Sequence, residues 1–381
     1  MAKTVFKSNR IVLRDRLFSG FLIIEDGKIC GIEKEYDGEF EDLGDKFIAP
    51  GLFDTHIHGF KNKDVMFAEE GALNVISEGL LENGVTSFLP TTLTASTEAT
   101  GKACEVIGNE YKDVKGAKVR GIFLEGPYFT EKYKGAQNYA YMKDPSVEEV
   151  ENWNELSGGI IKKIAIAPER EGTEEFTKKM VDMGIHVALG HSDATCEEAK
   201  SVLASGANIF VHLFNGMSGL HHREPGMVGA AFDSDSYAEL ICDGHHINPT
   251  AAKIAMDHKG RDRIALITDC MMAGGMADGE YMLGELPVIV KDGAARLVDG
   301  GSLAGSILRL NQGVQNVYDW KIASAFEAIQ MASLVPAESM GMDDICGVID
   351  VGREADFVVF DEDLNLERTY LDGILRYEAW F

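Results

Sequence analysis

The chain has 381 residues, of which 45% are hydrophobic, and a formal net charge of -26 at pH 7. This length and composition predict a globular protein with one large domain, alone or with a smaller one. The negative charge argues against nucleic acids and anionic membranes as partners because its long-range field repels polyanions, whereas a small anionic substrate remains allowed where a site supplies local cations.

The two ends of the chain resemble each other in pattern. Residues 1–49 and 346–381 carry short β-rich runs that are broken by Gly and Asp turns, without a long helical period. Neither segment alone has enough apolar surface for a stable fold. We therefore predict that both termini pair as one small β-sandwich domain, with residues 50–345 as a separate, larger domain.

Between these ends, apolar runs alternate with segments of helical spacing such as Leu73, Ile76 and Leu80. A capping box, TCEE, begins at Thr195. Eight apolar runs are predicted strands: FIAPGLFDTHIHG, GVTSFLPTT, VRGIFLEGPYF, IIKKIAIAPE, GIHVALGHSDA, ANIFVHLFNG, AELICDGHHI and RIALITDC. The alternation predicts an α/β fold in which a parallel sheet closes as a (β/α)8 TIM-like barrel, with the active site at the C-terminal strand ends. A doubly wound open sheet is the alternative.

The first of these strands ends in PGLFDTHIHG, residues 50–59. Alternate side chains of an extended segment share a face, so His56 and His58 point the same way, as two ligands of one metal would. Alone, such a motif is more typical of a polar strand end than of a metal site.

Ionisable residues follow other strands of the predicted barrel as well: Glu125 ends the third, His191 the fifth, His212 the sixth and Asp269 the eighth. Imidazole and carboxylate groups bind zinc, iron or another divalent transition metal, and a catalytic site leaves one position for water. We interpret the set, with His56 and His58, as a metal-binding rim at one end of the barrel.

Further motifs occur in a recognisable order: LEGPYF, GHSDAT, HLFNGMS, REPG, DGHHI, ITD and LAGS. With PGLFDTHIHG and the C-terminal GVIDVGREADFVVFD, the set resembles the amidohydrolase superfamily, and within it the deacetylases of N-acetylated amino-sugar 6-phosphates. The resemblance spans the whole chain. It implies hydrolysis of the N-acetyl group of N-acetylglucosamine 6-phosphate to glucosamine 6-phosphate and acetate, in amino-sugar catabolism.

The resemblance also implies roles for particular residues. Glu125, His191 and His212 would hold a metal, and Asp269 would be the catalytic acid and base. The phosphate would be bound by four residues: Asn215, Gly216, Arg223 and His246. The resemblance further implies a homodimer that supplies a basic phosphate contact across its interface. Some members lack the HxH pair and use a single metal, whereas this chain keeps His56 and His58. One or two divalent ions per chain are therefore expected, with zinc as the first choice and iron or another transition metal as the alternative.

Two departures from the family pattern concern the site. Some members carry a histidine in a GxHN-like stretch, where this chain reads GAQN, so Gln137 would donate a hydrogen bond to an oxyanion without carrying charge. No lysine ends the fourth strand, IAIAPER, so a carbamylated bridging lysine is missing. Glu125 is expected to bridge two metals instead.

The chemistry also follows from the residue types. A bound metal lowers the pKa of water from about 16 to about 7, and Asp269 can take the remaining proton and pass it to the departing amine. Three alternatives stay open: an N-acetylgalactosamine-6-phosphate deacetylase, an amidohydrolase acting on a cyclic amide, and a metal-dependent binding protein without catalysis.

The expected location is the cytoplasm. The N-terminal MAKTVFKSNR lacks the apolar run of a signal peptide, and no later stretch is long and apolar enough to span a bilayer. The six cysteines occur without CxxC pairs, which predicts buried reduced thiols.

Overall fold

A computed structural model describes residues 3–379, and in it the two ends of the chain form one eight-stranded sheet. Its strands are Thr4–Val12, Leu17–Glu25, Lys28–Glu33, Glu41–Asp42, Phe47–Pro50, Phe357–Phe360, Leu366–Leu371 and Ile374–Glu378. Phe357–Phe360 pairs antiparallel with Phe47–Pro50, so one ladder joins the N-terminal to the C-terminal segment. The small β domain built from both termini is therefore confirmed.

An aromatic cluster joins the two ends of the chain in one core. The rings of Phe357 and Tyr370 stack with centroids 4.3 Å apart, and Phe6 packs edge-on against them at 5.5 and 5.3 Å. All three side chains are at most 5% exposed. Because Phe6 comes from one end of the chain and its two partners from the other, this core forms only when both ends meet.

The central part of the chain forms the predicted parallel barrel. Its eight strands are, in order, Leu52–Ile57, Val85–Pro90, Ile122–Glu125, Ile161–Ile166, His186–Leu189, Ile209–Phe210, Tyr237–Leu240 and Ile264–Leu266. Parallel ladders join successive strands, a bridge from Thr91 to Phe123 links the second to the third, and a bridge from Ile57 to Cys270 closes the ring. The strands are buried on both faces, as a barrel surrounded by helices requires.

Helices follow every barrel strand: Ala72–Leu80, Thr97–Glu110, Val147–Leu156, Thr173–Asp182, Cys196–Ala204, Gly226–Phe232, Pro249–Lys259 and Leu310–Asp319, with Ala325–Met331 and Leu334–Ser339 leading back to the terminal sheet. The predicted apolar face of the first helix, Leu73, Ile76 and Leu80, is buried. The predicted capping box also forms, since Thr195 and Glu198 each accept the other's backbone N–H. None of the helices between residues 3 and 379 is long and apolar enough to cross a membrane.

A small antiparallel sheet is inserted between the eighth barrel strand and helix Leu310–Asp319. It consists of Gly279–Leu283, Leu286–Lys291 and Ala294–Leu297. Leu283 of this insertion, with Ser302 and Leu303 after it, lines the cavity at the C-terminal end of the barrel. The insertion thus forms one wall of the predicted active-site region.

Candidate metal centre and active site

A cavity of about 320 Å³ opens at the C-terminal end of the barrel. Its lining includes most of the residues that the sequence singled out: His58, Glu125, Gln137, His191, His212, Asn215, Gly216, His246 and Asp269. His56 lies beside them, fully buried. Arg223 does not belong to this lining.

Three of the site residues have unusual backbones. His191, His212 and Asp269 come two or three residues after the ends of barrel strands and have φ angles of +45°, +28° and +50°. Such left-handed conformations cost of order 1–3 kcal/mol each and persist where the surroundings fix them. The adjoining Gly216 also has a positive φ, and a Cβ there would lie 2.9 Å from Nδ1 of His191. The backbone is thus strained at the residues whose side chains line the cavity.

The four histidines predicted as metal ligands, His56, His58, His191 and His212, are all held through Nδ1. His58 is bonded to the carbonyl of Thr91 at 3.1 Å, and His191 to the carbonyl of Tyr133 at 3.0 Å. His212 is bonded to the carbonyl of Asn215 at 3.1 Å. A carbonyl oxygen accepts only, so Nδ1 carries the proton in these rings and Nε2 is left as a lone-pair donor.

His56 follows the same pattern with a different acceptor. Its Nδ1 lies 3.1 Å from a carboxylate oxygen of Glu239. Its Nε2 is buried and has no hydrogen-bond partner among the residues of the range 3–379. An unsatisfied buried nitrogen is costly in a native protein, and a metal ion would satisfy it.

Glu125 lies at the centre of the histidine set. Its Oε1 is 3.3 Å from Nε2 of His56 and of His191, and 3.1 Å from Nε2 of His212, while its Oε2 is 3.3 Å from Nε2 of His58. Two groups of ligand atoms result, each within 4.8 Å: His56, His58 and Glu125, and Glu125, His191 and His212. Glu125 therefore belongs to both groups, as a bridging ligand must.

The electrostatics of the site favour a cation. Burial alone would lower the pKa of His56, but the carboxylates of Glu125 and Asp269 raise it to about 9. Burial alone would raise the pKa of Glu125, yet the surrounding histidines, His56 first, hold it well below its usual value. The donor set of imidazole nitrogens and one carboxylate fits zinc, iron or a similar divalent ion.

Asp269 stands next to these ligands. Its Oδ1 lies 3.1 Å from Nε2 of His58 and 3.5 Å from Nε2 of His56. Its backbone N–H donates to the carbonyl of His56 at 2.9 Å, which ties the end of the eighth strand to the first. Burial would raise the pKa of Asp269, but His56 and His58 lower it, so the carboxyl group is ionised at neutral pH.

Gln137 has a fixed amide orientation. Its Oε1 accepts from the backbone N–H of Thr94 at 2.9 Å, which turns Nε2 toward Oε2 of Glu125 at 2.6 Å. The amide is 3% exposed and lines the cavity. Its donor group therefore faces Glu125 at the wall of the cavity.

The residues predicted to bind phosphate are divided by the structure. Asn215, Gly216 and His246 line the cavity, and Nδ1 of His246 is bonded to Asp243 at 2.7 Å. Arg223 lies on an exposed loop, where its guanidinium contacts Nε2 of His222 at 2.8 Å. It lines a separate depression with Lys132, Tyr133 and Asp193. Within one chain, Arg223 is thus not brought to the cavity.

Sequence reasoning missed two charged residues below the site. Lys163 on the fourth strand and Glu239 on the seventh are at most 1% exposed and form an ion pair inside the barrel. A charged residue inside an apolar run that is covered on both faces is rare enough to have been a signal. Lys163 lies within the fourth strand, Ile161–Ile166, rather than at its end, and is engaged by Glu239.

Comparisons with known proteins agree with this geometry. Residues 47–376 match the Amidohydrolase family. An N-acetylglucosamine-6-phosphate deacetylase of Vibrio furnissii is 42% identical over 361 residues, covering 93% of this chain and 90% of that protein. An N-acetylgalactosamine-6-phosphate deacetylase of Escherichia coli O157:H7 is 37% identical over 362 residues, covering 93% and 94%. A similar solved structure is that of a mutant N-acetyl-D-glucosamine-6-phosphate deacetylase of Mycobacterium smegmatis in complex with N-acetyl-D-glucosamine-6-phosphate. The TM-score is 0.92 at 26% identity, and the match covers 99% of this chain and 100% of that one.

Proposed function

The chain belongs to the amidohydrolase family, and we propose that it hydrolyses the N-acetyl group of N-acetylglucosamine 6-phosphate to glucosamine 6-phosphate and acetate. It is a metal-dependent amide hydrolase. The observation that carries the proposal is the arrangement of two ligand groups around Glu125 beside a cavity lined by polar side chains. Relatives that match more than nine-tenths of the chain carry the name of this activity.

The metal ligands are proposed to be His56, His58, Glu125, His191 and His212. A divalent ion held there, zinc being the simplest choice, would supply an activated water molecule at neutral pH and polarise the acetyl carbonyl. Glu125 lies within reach of both histidine pairs, which supports two ions with Glu125 as the shared ligand. With Glu125 as the shared ligand, a carbamylated lysine is not required to bridge the two ions.

Asp269 is proposed to move the proton. It is ionised and adjacent to the ligand group, so it can accept a proton from the attacking water as the new C–O bond forms. The same carboxyl group then protonates the nitrogen as the C–N bond breaks, and the amine leaves in a neutral form. The positive φ of Asp269 orients its carboxyl group toward His58 and His56, two of the residues that would hold the metal.

Gln137 is proposed to stabilise the oxyanion. The N–H groups of its Nε2 face the cavity beside Glu125, and its Oε1 is anchored by the backbone of Thr94. A donor fixed before substrate binds stabilises developing negative charge without reorganisation. The neutral amide replaces the histidine that some family members use.

Phosphate binding is proposed to involve two chains of a homodimer. Asn215, Gly216 and His246 would contact the phosphate from within the cavity, while Arg223 would reach the cavity of the partner chain. The supporting observation is that Arg223 is exposed on a loop outside the lining of its own cavity. A planar guanidinium suits a phosphate group.

A cytoplasmic location is also proposed. All six cysteines are free: Cys30, Cys104, Cys196, Cys242, Cys270 and Cys346. Four of them are buried, and unpaired thiols are typical of a reducing compartment.

Acetate release tests the proposed substrate. The purified protein, loaded with Zn²⁺, is assayed with N-acetylglucosamine 6-phosphate, its galacto epimer, unphosphorylated N-acetylglucosamine and a cyclic amide such as dihydroorotate. We expect the highest kcat/KM with the gluco 6-phosphate and loss of activity after chelation. A preference for the galacto epimer, the activity by which the Escherichia coli relative is named, would instead assign the second candidate function.

A further inference from the structure

His56 differs from the other three histidines of the two ligand groups in what holds it. Backbone carbonyls accept from Nδ1 of His58, His191 and His212, whereas a carboxylate of Glu239 faces Nδ1 of His56 at 3.1 Å. A backbone carbonyl is neutral and is placed by the fold. A buried carboxylate is charged, and burying it is costly unless a charged or hydrogen-bonding partner compensates.

Lys163 is the partner. Its ammonium group forms an ion pair with Oε1 of Glu239, and both side chains are at most 2% exposed. The two residues lie on the fourth and seventh barrel strands and meet in the barrel interior. Nζ of Lys163 also lies 3.5 Å from the carbonyl of Thr55, and Thr55 donates from Oγ1 to Glu239 at 3.3 Å. The carboxylate is thus held from two sides.

Phe123 links the ion pair to the histidine ring. Nζ of Lys163 lies 3.8 Å from the centroid of the Phe123 ring, and the ring of His56 packs against Phe123 with centroids 4.8 Å apart at 88°. The imidazole is therefore confined by the carboxylate at Nδ1 and by an aromatic ring at its side. Its Nε2 therefore points toward the carboxylates of Glu125 at 3.3 Å and Asp269 at 3.5 Å.

We propose that Lys163 and Glu239 are positioning residues, whose ion pair fixes the Nδ1-protonated form of His56 and strengthens it as a ligand of the ion bound by His56 and His58. This inference rests on the two-ion site proposed above. A hydrogen-bonded carboxylate makes an imidazole a better metal ligand, and the acid needs Lys163 to remain ionised in the barrel. The ion held by His191 and His212 has no such dependence, since carbonyl groups orient those rings.

The variants must avoid leaving one buried charge unpaired, because that alone can unfold a protein. Lys163→Met with Glu239→Leu removes the charges together with the acceptor of His56. Lys163→Met with Glu239→Gln removes the charges but keeps a neutral acceptor. Lys259→Met is the matched control: Lys259 is also buried, at 9% exposure, but donates to the carbonyls of Ala231 and Ser234, away from the site.

The measurement is metal binding rather than turnover. Each protein is stripped of metal, titrated with Zn²⁺ against a chromophoric chelator, and analysed for bound zinc. We expect two ions in the wild type and in Lys259→Met. The zinc affinity of the weaker site should fall by about 100-fold in the Leu double variant and by about 10-fold in the Gln double variant. The tighter site should be unchanged in all of them.

The outcomes separate the inference from the proposed site. Two ions bound with wild-type affinity by a double variant would overturn the positioning role and leave the metal site standing; if the Leu variant does not fold, the Gln variant alone decides this. A wild-type protein that binds a single ion would overturn both the two-ion proposal and the inference built on it.

Discussion

The Nε2 atom of Gln137 donates a hydrogen bond of 2.6 Å to Oε2 of Glu125, the carboxylate shared by both ligand groups. This contact connects the residue that departs from the family pattern with the centre of the site. Gln137 therefore acts on two partners: Glu125, which it holds, and the substrate carbonyl, which its donor group faces in the proposed function.

Replacing Gln137 by Leu should lower kcat by about 10-fold or more, because the fixed donor for the oxyanion is lost. KM should change by less, since the contact matters most in the transition state. Gln137→His keeps a donor at this position and is the control that should retain more activity than Gln137→Leu. Steady-state acetate release measures both constants, and a wild-type kcat for Gln137→Leu would remove the oxyanion role.

Replacing Asp269 by Asn should lower kcat by at least about 10²-fold while most of the bound metal is retained, because the amide keeps the shape but cannot accept a proton. Zinc analysis of the same sample separates loss of proton transfer from loss of metal. That control matters here because Oδ1 of Asp269 is only 3.1 Å from Nε2 of His58. Turnover near that of the wild type would exclude Asp269 as the acid and base.

The sequence predicted the elements of the site because two simple regularities apply. Apolar runs of strand length alternating with helical periods define the barrel, and the C-terminal ends of parallel strands meet at one edge. Glu125, His191, His212 and Asp269 each follow such a run, so their convergence in the structure needs no knowledge of side-chain contacts.

The residues that the sequence did not predict depend on contacts across the barrel. Lys163 and Glu239 are 76 positions apart, and only the closed ring of strands brings them together below His56. Arg223 shows the opposite case. Its residue type suits phosphate, but the loop that carries it leaves it outside the cavity of its own chain, which no local pattern reveals.

Replacing Arg223 by Ala should raise KM strongly for the phosphorylated substrate and change activity on unphosphorylated N-acetylglucosamine little, because the lost contact exists only where the phosphate is present. Kinetics with both sugars measure this. Equal losses on the two substrates would assign Arg223 a structural role instead.

A mixing experiment tests whether Arg223 acts on the partner chain. With the phosphorylated substrate well below the raised KM, Arg223→Ala chains should be nearly inactive alone, as Asp269→Asn chains should be through their low kcat. A mixed dimer would combine an intact Asp269 from one chain with an intact Arg223 from the other. After subunit exchange at equal concentrations, about a quarter of wild-type activity should return, since half of the dimers are mixed and each has one complete site. No recovery of activity despite subunit exchange would show that Arg223 acts on the active site of its own chain.

The buried pair predicts a pH effect on stability. Burial would raise the pKa of Glu239, but Lys163 and His56 lower it to about 2, below its usual value of 4.5. Between these values the unfolded chain binds a proton that the folded chain does not, so this contribution to stability is present above pH 4.5 and is lost as pH falls toward 2. The Lys163→Met, Glu239→Leu double variant should therefore lose less stability on acidification, by up to about 1.4 kcal/mol per pH unit. Urea unfolding at pH 4.5 and 3.5 with chelator present measures the difference, and an equal loss in variant and wild type would contradict it.

The number of bound ions is the most direct test of the site. His191, His212 and Glu125 suffice for one catalytic ion, so the HxH pair is surplus unless it holds a second ion with Glu125 shared between both. Wild-type protein loaded with zinc or iron should contain close to two ions per chain, and the His56→Asn, His58→Asn double variant close to one, held by the tighter His191 and His212 group. His246→Asn is the matched control: this cavity histidine is bonded to Asp243 and lies outside both ligand groups, so its loss should leave two ions. One ion per chain in both wild type and double variant, with unchanged activity, would show that His56 and His58 hold no metal. The Nε2 of His56, which has no hydrogen-bond partner within residues 3–379, would then need another explanation.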